Sequence, residues 1–309
     1  MTIHKSQGST LEHVSVLLRP KMTRSLIYVA FSRAKTLNGL YLVGKFKPPA
    51  PPREDHPVVV EMKRLRETAK LVPKFQHLKT VPTNEIQIVS FNVQSLRKHI
   101  ESVKSDFVFT SSHVLLLQEI WAMSNEKFDI PEMEEIQRND INNQPQPRGT
   151  IIYAKSNQAV HPHQKFCIER NAERIEVTSC RISNITLINV YKNPKTSLEF
   201  FKDSMTRIKH LFDCDNVLVC GDLNEDISKS RSVIDFFRIM NLRMLSKIEP
   251  TTNAGTTIDA IFGRLKDFSC ECTIYESYFS HHKPIVIRIK PDFAAYMEIQ
   301  EAPTNEIFT

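Results

Sequence analysis

The chain has 309 residues, of which 41% are hydrophobic and 25% are charged, and its formal net charge at pH 7 is +6. This length suits one full domain plus a smaller segment, and the composition excludes a disordered chain, a collagen-like fibre and a coiled coil. No apolar run approaches the roughly 18 residues of a membrane span, and the N-terminus lacks the apolar stretch of a secretory signal. We therefore expect a protein that neither enters a membrane nor is secreted.

The six cysteines predict a reducing compartment. They form no Cys-x-x-Cys pair, and the lone Cys-x-Cys, Cys270 to Cys272, has no matching His or Cys pair at the spacing of a zinc site. We interpret all six as free buried thiols. The expected location is the nucleus or another reducing intracellular compartment.

Basic residues are concentrated in the first part of the chain. Residues 1–82 contain 15 Lys and Arg against 5 Asp and Glu, a net charge of +10, whereas residues 83–309 contain 26 against 30, a net charge of −4. The asymmetry favours a polyanion partner for the basic segment. A charge run on a solvated face is the alternative interpretation of the same pattern.

Residues 1–46 form the first predicted segment. Two apolar strands are expected at residues 14–18 and 40–43, with a helix between them. Residues 39–45 match the first seven positions of a phosphate-binding loop, but Phe46 stands where a Ser or Thr must contact magnesium. We therefore interpret that stretch as a strand rather than a nucleotide site.

A linker follows at residues 47–83. The Pro-rich run 47–52 cannot continue a helix or a central strand and is typical of an extended spacer. Residues 58–71 have apolar positions at helical spacing, which predicts one helix within this basic linker.

From residue 84 the pattern changes to short, β-branched apolar runs separated by polar turns. Seven such runs predict strands, at residues 86–91, 114–117, 150–153, 185–190, 217–219, 258–262 and 285–289. Two apolar stripes predict helices, one over residues 198–212 with Thr196 or Ser197 as its cap and one over residues 233–240.

Strands outnumber helices in this region, which predicts an α/β (α+β) layered sandwich over residues 84–293, followed by a tail at residues 294–309. The sequence His161-Pro162-His163 is expected to lie in a polar loop, and no role is assigned to it.

Polar side chains stand at the ends of several predicted strands. They are Asn92, Glu119, Asp222, Asn224, Asp259 and the pair His281 and His282. A carboxylate at the end of an apolar strand is held at the rim of a sandwich with little chain freedom, as a metal or phosphate site requires. Each residue alone also fits a bland role, such as a solvated acid, a turn or a surface histidine, so the signal is their joint order.

Two strings in the first segment carry a resemblance. TIHKSQGST at residues 2–10 and YVAFSRA at residues 28–34 resemble the last two motifs of superfamily 1B DNA helicases, the RecD-like branch that contains the Pif1 helicases. The resemblance implies that the first motif contacts single-stranded DNA and senses nucleotide, and that Arg33 is the arginine finger. The matching residues are His4, Lys5, Gln7, Gly8 and Arg33. Since the phosphate-binding loop and most of the motor are missing, no ATPase activity is expected from this piece.

The strand-end residues resemble those of the endonuclease/exonuclease/phosphatase superfamily, which includes deoxyribonuclease I and the apurinic endonucleases. The resemblance covers residues 84–293 and implies a four-layered β-sandwich flanked by helices. It assigns Asn92 to support of the metal ligands and Glu119 to metal binding. Catalytic roles fall to five positions: Tyr191 near the scissile phosphate, Asp222 as the group that positions or deprotonates water, Asn224 as its orienting partner, His282 as the catalytic histidine, and Asp259 as the carboxylate that orients it.

The chemistry agrees with these roles. A hard Mg²⁺ held by few carboxylates keeps positions open for phosphate oxygens, while an Asp near water serves as a base. Two positions depart from the family pattern. His281 stands where an Asp near the metal is usual, and the string Arg148-Gly149-Thr150 has Thr150 in place of the second Gly of the usual Arg-Gly-Gly. We count His281 with Glu119 and Asn92 as the metal group, with Mg²⁺ as the expected ion and Mn²⁺ as the alternative.

The order of the two segments resembles the end of Helitron transposon proteins of the Helentron type, in which an apurinic-type endonuclease follows a DNA helicase. The resemblance implies a truncated or domesticated transposon product whose Met1 lies inside a helicase motor, and a Mg²⁺-dependent DNA endonuclease. Two alternatives remain open: a catalytically impaired remnant that binds nucleic acid, and a phosphatase of the same fold. The oligomeric state is not predicted.

Overall fold

The structure, a computed structural model, describes residues 2–6, 8–20, 22–45, 47, 50–68, 74–139 and 147–292. The chain divides into two compact units, Met1–Val72 and Pro73–Thr309. The predicted tail and Gln7 lie outside the described residues. No helix within the described ranges is long and apolar enough to cross a membrane.

Unit 1 contains a two-stranded parallel sheet. Strands β1 (Val14–Leu17) and β2 (Leu40–Val43) pair side by side, and helix α1 (Arg24–Phe31) connects them. The Thr23 hydroxyl accepts the Leu26 N–H and caps α1. Short 3₁₀ turns lie at residues His4–Ser6 and Leu37–Gly39, and helix α2 spans Pro57–Thr68. The strand–helix–strand pattern predicted for residues 1–46 is therefore present.

Unit 2 is built on two six-stranded sheets. Sheet A runs in the order β13-β14-β3-β4-β6-β5, with β3 at Ile86–Asn92, β4 at Val114–Gln118, β5 at Met133–Asn139, β6 at Thr150–Lys155, β13 at Phe268–Ile274 and β14 at Ile285–Pro291. Sheet B runs in the order β11-β12-β10-β9-β8-β7, with β7 at Val160–Arg170, β8 at Glu173–Ile182, β9 at Ile185–Lys192, β10 at Asn216–Asp222, β11 at Arg243–Met244 and β12 at Asp259–Leu265.

Helices cover the outer face of each sheet. Sheet A is covered by α3 (Leu96–Ser105) and α4 (Phe107–Ser111), and sheet B by α5 (Leu198–Arg207) and α6 (Ser232–Ile239). A 3₁₀ turn, Lys209–Phe212, extends α5, and the Ser197 hydroxyl caps its start as predicted.

Three apolar layers hold these four layers of secondary structure together. Successive residues of β3 alternate, so that Ile88 packs between the sheets while Val89 packs under the helices. Because the central strands are buried on both faces, they read as continuous apolar runs rather than alternating ones. This is the α+β, four-layered sandwich that the sequence predicts.

The chain before residue 84 also contributes to unit 2. Leu78 is fully buried in the sheet A core, and the Arg288 guanidinium donates to the Thr80 carbonyl oxygen at 3.0 Å. Phe75 packs edge-on against Tyr275, with ring centroids 4.9 Å apart. Residues 74–80 therefore belong to the packed sandwich.

The prediction of a polar loop at His161-Pro162-His163 is wrong. These residues lie in β7, the edge strand of sheet B, which pairs along its length with β8. An edge strand tolerates Pro because one row of its backbone groups needs no partner, and the register shift between Pro162 and Lys165 accommodates the ring. The strand was missed because its side chains are largely polar.

Candidate active site

The functional side chains meet because strand ends from both sheets meet at one edge. In sheet A, β3 and β4 run parallel, with Asn92 beside Gln118. In sheet B, β9 and β10 run parallel, with Tyr191 beside Asp222, and antiparallel β12 begins at Asp259 directly opposite Asp222. The sandwich thus delivers the ends of four strands to one place.

Asn92 joins the two sheets. Its side-chain Nδ2 donates to Glu119 Oε1 at 2.9 Å and to Asp222 Oδ2 at 2.8 Å, and both Asn92 and Asp222 are fully buried. The indole N–H of Trp121 donates to the other Glu119 oxygen at 3.0 Å. One amide therefore spaces two carboxylates that would otherwise repel each other.

Backbone strain is concentrated at three of these residues. Glu119, Trp121 and Asn224 adopt φ values of +50°, +51° and +45°, in the left-handed region that non-glycine residues seldom occupy. At Asn224 the turn lets the backbone N–H donate to Asp222 Oδ1 at 2.8 Å and the side-chain amide to Asp222 Oδ2 at 3.1 Å. The same amide donates to the Lys192 carbonyl oxygen at 2.7 Å, which fixes its orientation.

Gly221 allows β9 and β10 to approach each other beside the site. A Cβ atom at this position would lie 1.8 Å from the Val190 carbonyl oxygen. Only glycine fits there, so the Gly-Asp-Leu-Asn sequence is a structural requirement for placing Asp222 as well as a chemical one.

His282 and Asp259 form a buried pair that faces Asp222. Nδ1 of His282 lies 2.9 and 3.1 Å from the two Asp259 oxygens, and Nε2 lies 4.0 Å from Asp222 Oδ2. Burial alone would lower the pKa of His282, but the charge and hydrogen bond of Asp259, with smaller effects of Asp222 and Glu119, raise it to about 9. The ring is thus an imidazolium at neutral pH.

Asp222 has the opposite character. Burial, and then the negative charge of Asp259, raise the pKa of Asp222 to about 7, against the opposing effects of His282 and of the hydrogen bonds from Asn224 and Asn92. The pKa of Asp222 therefore lies near neutrality and that of His282 above it, so a carboxyl that can take up a proton stands beside a protonated imidazole.

Tyr191 lies at the floor of the site and is 1% exposed. Burial, followed by the charges of Glu119 and Asp222, raises its pKa well above the ordinary value, so it stays a neutral phenol. Its hydroxyl donates to the Pro147 carbonyl oxygen at 3.4 Å.

Sequence reasoning missed Glu176, the buried cross-strand partner of Tyr191. Glu176 accepts the Gly149 N–H at 2.6 Å and pairs with the Arg174 guanidinium at 3.1 Å. Burial raises the pKa of Glu176 to about 7, although Arg174 opposes the shift. The string Arg148-Gly149-Thr150 was the available signal, since Gly149 takes φ +94° and its amide N–H turns to this carboxyl.

His281 lies at the rim rather than in the buried cluster. Its side chain is exposed, and its backbone N–H donates to Gln94 Oε1 at 3.1 Å. The Ser280 hydroxyl donates to the Asn92 carbonyl oxygen at 2.9 Å, so the loop before β14 is tied to the end of β3. The role of His281 in metal binding stays a prediction.

The donor set fits a hard cation. Ligand atoms of Asp222, Asp259 and His282 lie within 4.8 Å of one another. However, Nδ1 of His282 is engaged by Asp259, and its raised pKa keeps the ring protonated, so the imidazole is a poor ligand. The better donors are the oxygens of Glu119 and Asp222. Three carboxylates against one imidazolium leave an excess of buried negative charge that a divalent cation with oxygen ligands would balance.

The residues that the sequence predicts to match helicase motifs lie in unit 1. Arg33 donates from Nη1 to the Ser9 carbonyl oxygen at 3.0 Å and from Nε to the Val29 carbonyl oxygen at 3.1 Å, which links the two matching strings. Its third bond goes to the Ser32 hydroxyl, so its described partners include no carboxylate. Lys5 is exposed, and Gly8 takes φ +88°. His4 belongs to the first 3₁₀ turn.

Comparison with known proteins adds a likeness of fold. No protein-family model matches the sequence, and no curated protein matches it. The chain is similar to the endonuclease domain of TRAS1, a telomere-specific non-LTR retrotransposon, with 15% identity and a TM-score of 0.48 over 67% of this chain and 99% of that one.

Two further solved structures are similar to the chain. One is an endonuclease/exonuclease/phosphatase family protein from Leptotrichia buccalis, with 13% identity and a TM-score of 0.48 over 66% of this chain and 99% of that one. The other is an AP endonuclease from Archaeoglobus fulgidus, with 15% identity and a TM-score of 0.46 over 65% of this chain and 98% of that one. At these identities the likeness concerns the fold alone.

Proposed function

We propose that unit 2 is a metal-dependent phosphodiesterase, and more narrowly a DNA endonuclease. The observation that carries this proposal is the buried cluster in which Asn92 spaces Glu119 from Asp222 while the His282–Asp259 pair faces Asp222. A carboxyl with a pKa of about 7, beside an imidazole that is protonated at neutral pH, suits hydrolysis of a charged phosphodiester.

In this mechanism the water oxygen bonds to phosphorus while Asp222 accepts its proton, and Asn224 orients both. The P–O bond to the leaving sugar oxygen breaks, and that oxygen takes a proton from solvent. The pKa of about 7 leaves much of Asp222 ionised at neutral pH and able to take a proton. His282, held by Asp259, presents its Nε2 proton to a phosphate oxygen, and Tyr191 presents a neutral hydroxyl from the floor. When Mg²⁺ or Mn²⁺ is bound by Glu119 and Asp222, with Asn92 in support, it supplies positive charge against the phosphate oxygens.

Support for DNA as the substrate comes from the first part of the chain. Residues 1–82 carry a net charge of +10, which attracts a polyanion. The two helicase-like strings are joined through Arg33 and Ser9. We therefore propose that the chain belongs to a Helitron-type helicase–endonuclease that acts in the nucleus.

A supercoiled-plasmid assay tests this proposal. The full chain is incubated with Mg²⁺, Mn²⁺ or EDTA, alongside His282→Ala and Asp222→Ala. We expect relaxed circles with either metal, none with EDTA, and strong loss in both variants. Binding without metal-dependent nicking would instead favour the nucleic-acid-binding remnant, and release of phosphate from small phosphomonoesters without nicking would favour the phosphatase.

A further inference from the structure

One exposed aromatic side chain stands on the loop that precedes His282. Tyr278 is 83% exposed, and within the described part of unit 2 it is the one aromatic residue among the exposed large apolar side chains. We propose that Tyr278 is a stacking platform for an unpaired nucleobase next to the cleaved phosphate, so that the preferred substrate is single-stranded DNA. The inference rests on the proposed function and narrows its substrate.

The exposure of Tyr278 is not the result of a loosely packed loop. Tyr275, three residues earlier, is buried, and its hydroxyl donates to Asp106 Oδ2 at 2.9 Å. Phe279, the next residue, packs its ring against Phe91 and Phe109, with centroids 5.5 and 5.9 Å apart. Tyr275 and Phe279 are anchored in the sheet A core, whereas the ring of Tyr278 between them lies in solvent.

The loop that carries Tyr278 is tied to the site. The Tyr278 ring meets Phe279 edge-on, with centroids 5.8 Å apart and planes at 85°. The Ser277 hydroxyl donates to the His282 carbonyl oxygen at 3.3 Å, and Ser280 is tied to Asn92. Because the loop backbone is already ordered, it loses little conformational freedom when a base stacks on Tyr278. More of the stacking energy then appears as affinity.

The separation along the chain suits a base near the scissile phosphate. Tyr278 and His282 are four residues apart, and four residues span at most about 14 Å. Each nucleotide of a strand spans at least about 3.4 Å, its rise in a duplex, so the stacked base lies at most about four nucleotides from the cleaved bond. Stacking on an aromatic ring is tolerant of base identity because every base has a π-face.

The same geometry disfavours a paired base. Bases in a duplex are stacked on one another, and a side chain reaches their faces only by inserting between them, which costs unstacking energy. A single strand already presents separated bases. The platform should therefore discriminate between strand states rather than between sequences.

Binding measured in EDTA tests the inference without cleavage. The full chain, Tyr278→Ala and Tyr278→Phe are titrated against a short single strand carrying 2-aminopurine and against a hairpin duplex with the same number of phosphates, at about 0.3 M salt to weaken phosphate contacts. Ile239→Ala removes another exposed apolar side chain of unit 2 and serves as the matched control.

We expect Tyr278→Ala to weaken binding of the single strand by about 5- to 150-fold and that of the hairpin by less than about twofold. Tyr278→Phe, which keeps the ring, and Ile239→Ala should match the wild type. Unchanged binding of the single strand by Tyr278→Ala, or equal loss on both substrates, overturns the inference. Failure of the proposed function is seen separately, as absence of metal-dependent plasmid nicking by the wild type.

Discussion

Replacing Asp259 by Asn should lower the pKa of His282 from about 9 towards neutrality, so that the ring is no longer fully protonated at pH 8. The carboxylate of Asp259 is the largest influence that raises the pKa of His282, and it acts against burial, which lowers it. Asn preserves the shape of the side chain, and its amide oxygen can still accept a hydrogen bond from the Nδ1–H of His282. The substitution therefore removes the charge and leaves most of the packing of a residue that is only 5% exposed.

The size of the effect follows from the geometry of the pair. A full charge at hydrogen-bond distance, here 2.9 Å, shifts a neighbouring pKa by about 1 to 3 units. Starting from about 9, the pKa of His282 should fall to between about 6 and 8 in Asp259→Asn. For a value of about 7, the protonated fraction at pH 8 falls about tenfold, and nicking that depends on the imidazolium falls with it.

The pH dependence of stability has a definite sign. Because the pKa of His282 in the folded state lies above its ordinary value of 6.5, its protonation stabilises the fold fully below pH 6.5, and this contribution is lost as the pH rises through about 9. At about 1.4 kcal/mol per pKa unit, the wild-type contribution is about 3 kcal/mol. Asp259→Asn should lose most of it.

Imidazole resonances followed by NMR across a pH titration in EDTA check this prediction directly. Wild-type His282 should titrate near pH 9, and the ring in Asp259→Asn should titrate at least one unit lower. Glu276→Gln, which alters an exposed carboxylate of the same loop, is the control. If His282 titrates at the same pH in wild type and Asp259→Asn, the electrostatic role given to Asp259 is refuted.

Four further predictions concern the active site, Arg33 and the basic residues of 45–79. Alanine at Glu119 should lower nicking by about 100-fold or more with an unchanged thermal midpoint, because one of three clustered carboxylates is removed; wild-type rates would contradict its place in the site. The chain should not hydrolyse ATP, and DNA-stimulated hydrolysis abolished by Arg33→Ala would overturn this. Replacing the Lys and Arg residues of residues 45–79 by Gln should flatten the salt dependence of DNA binding. Equal salt slopes for the wild type and this variant would exclude residues 45–79 as a DNA-binding segment. The wild type should nick weakly with Mg²⁺ and prefer Mn²⁺, and His281→Asp should raise the Mg²⁺-supported rate; an unchanged rate and metal preference would remove position 281 from the metal site.

The central strands were predictable because they are buried on both faces. Strands such as β4, Val114–Gln118, read as unbroken apolar runs, and the polar residue that follows each run marks the edge of the sheet. That pattern selects Asn92, Glu119 and Asp222, whereas Asp259 lies inside its predicted strand. The structure brings all four together. Their chemical roles rest on the proposed function.

The edge strand β7 could not be predicted from its local sequence. Strands β7 and β8 form a long hairpin at the edge of sheet B, and β7 is rich in charged and polar residues, so its strand identity depends on pairing rather than on composition. Trp121 donates to Glu119, only two residues earlier, whereas Gln94 contacts His281, 187 residues away, which only the fold brings close. Contacts of that range are invisible to periodicity.

Cleavage in ¹⁸O-labelled water is the most direct test of the central claim, that the cluster around Asp222 activates water against a phosphodiester. We expect the phosphate at the cut end to carry one ¹⁸O atom and cleavage to require a divalent metal. Asp222→Ala should form almost no cleaved product in the same time. Product without ¹⁸O, or product formed by Asp222→Ala at the wild-type rate, would contradict it.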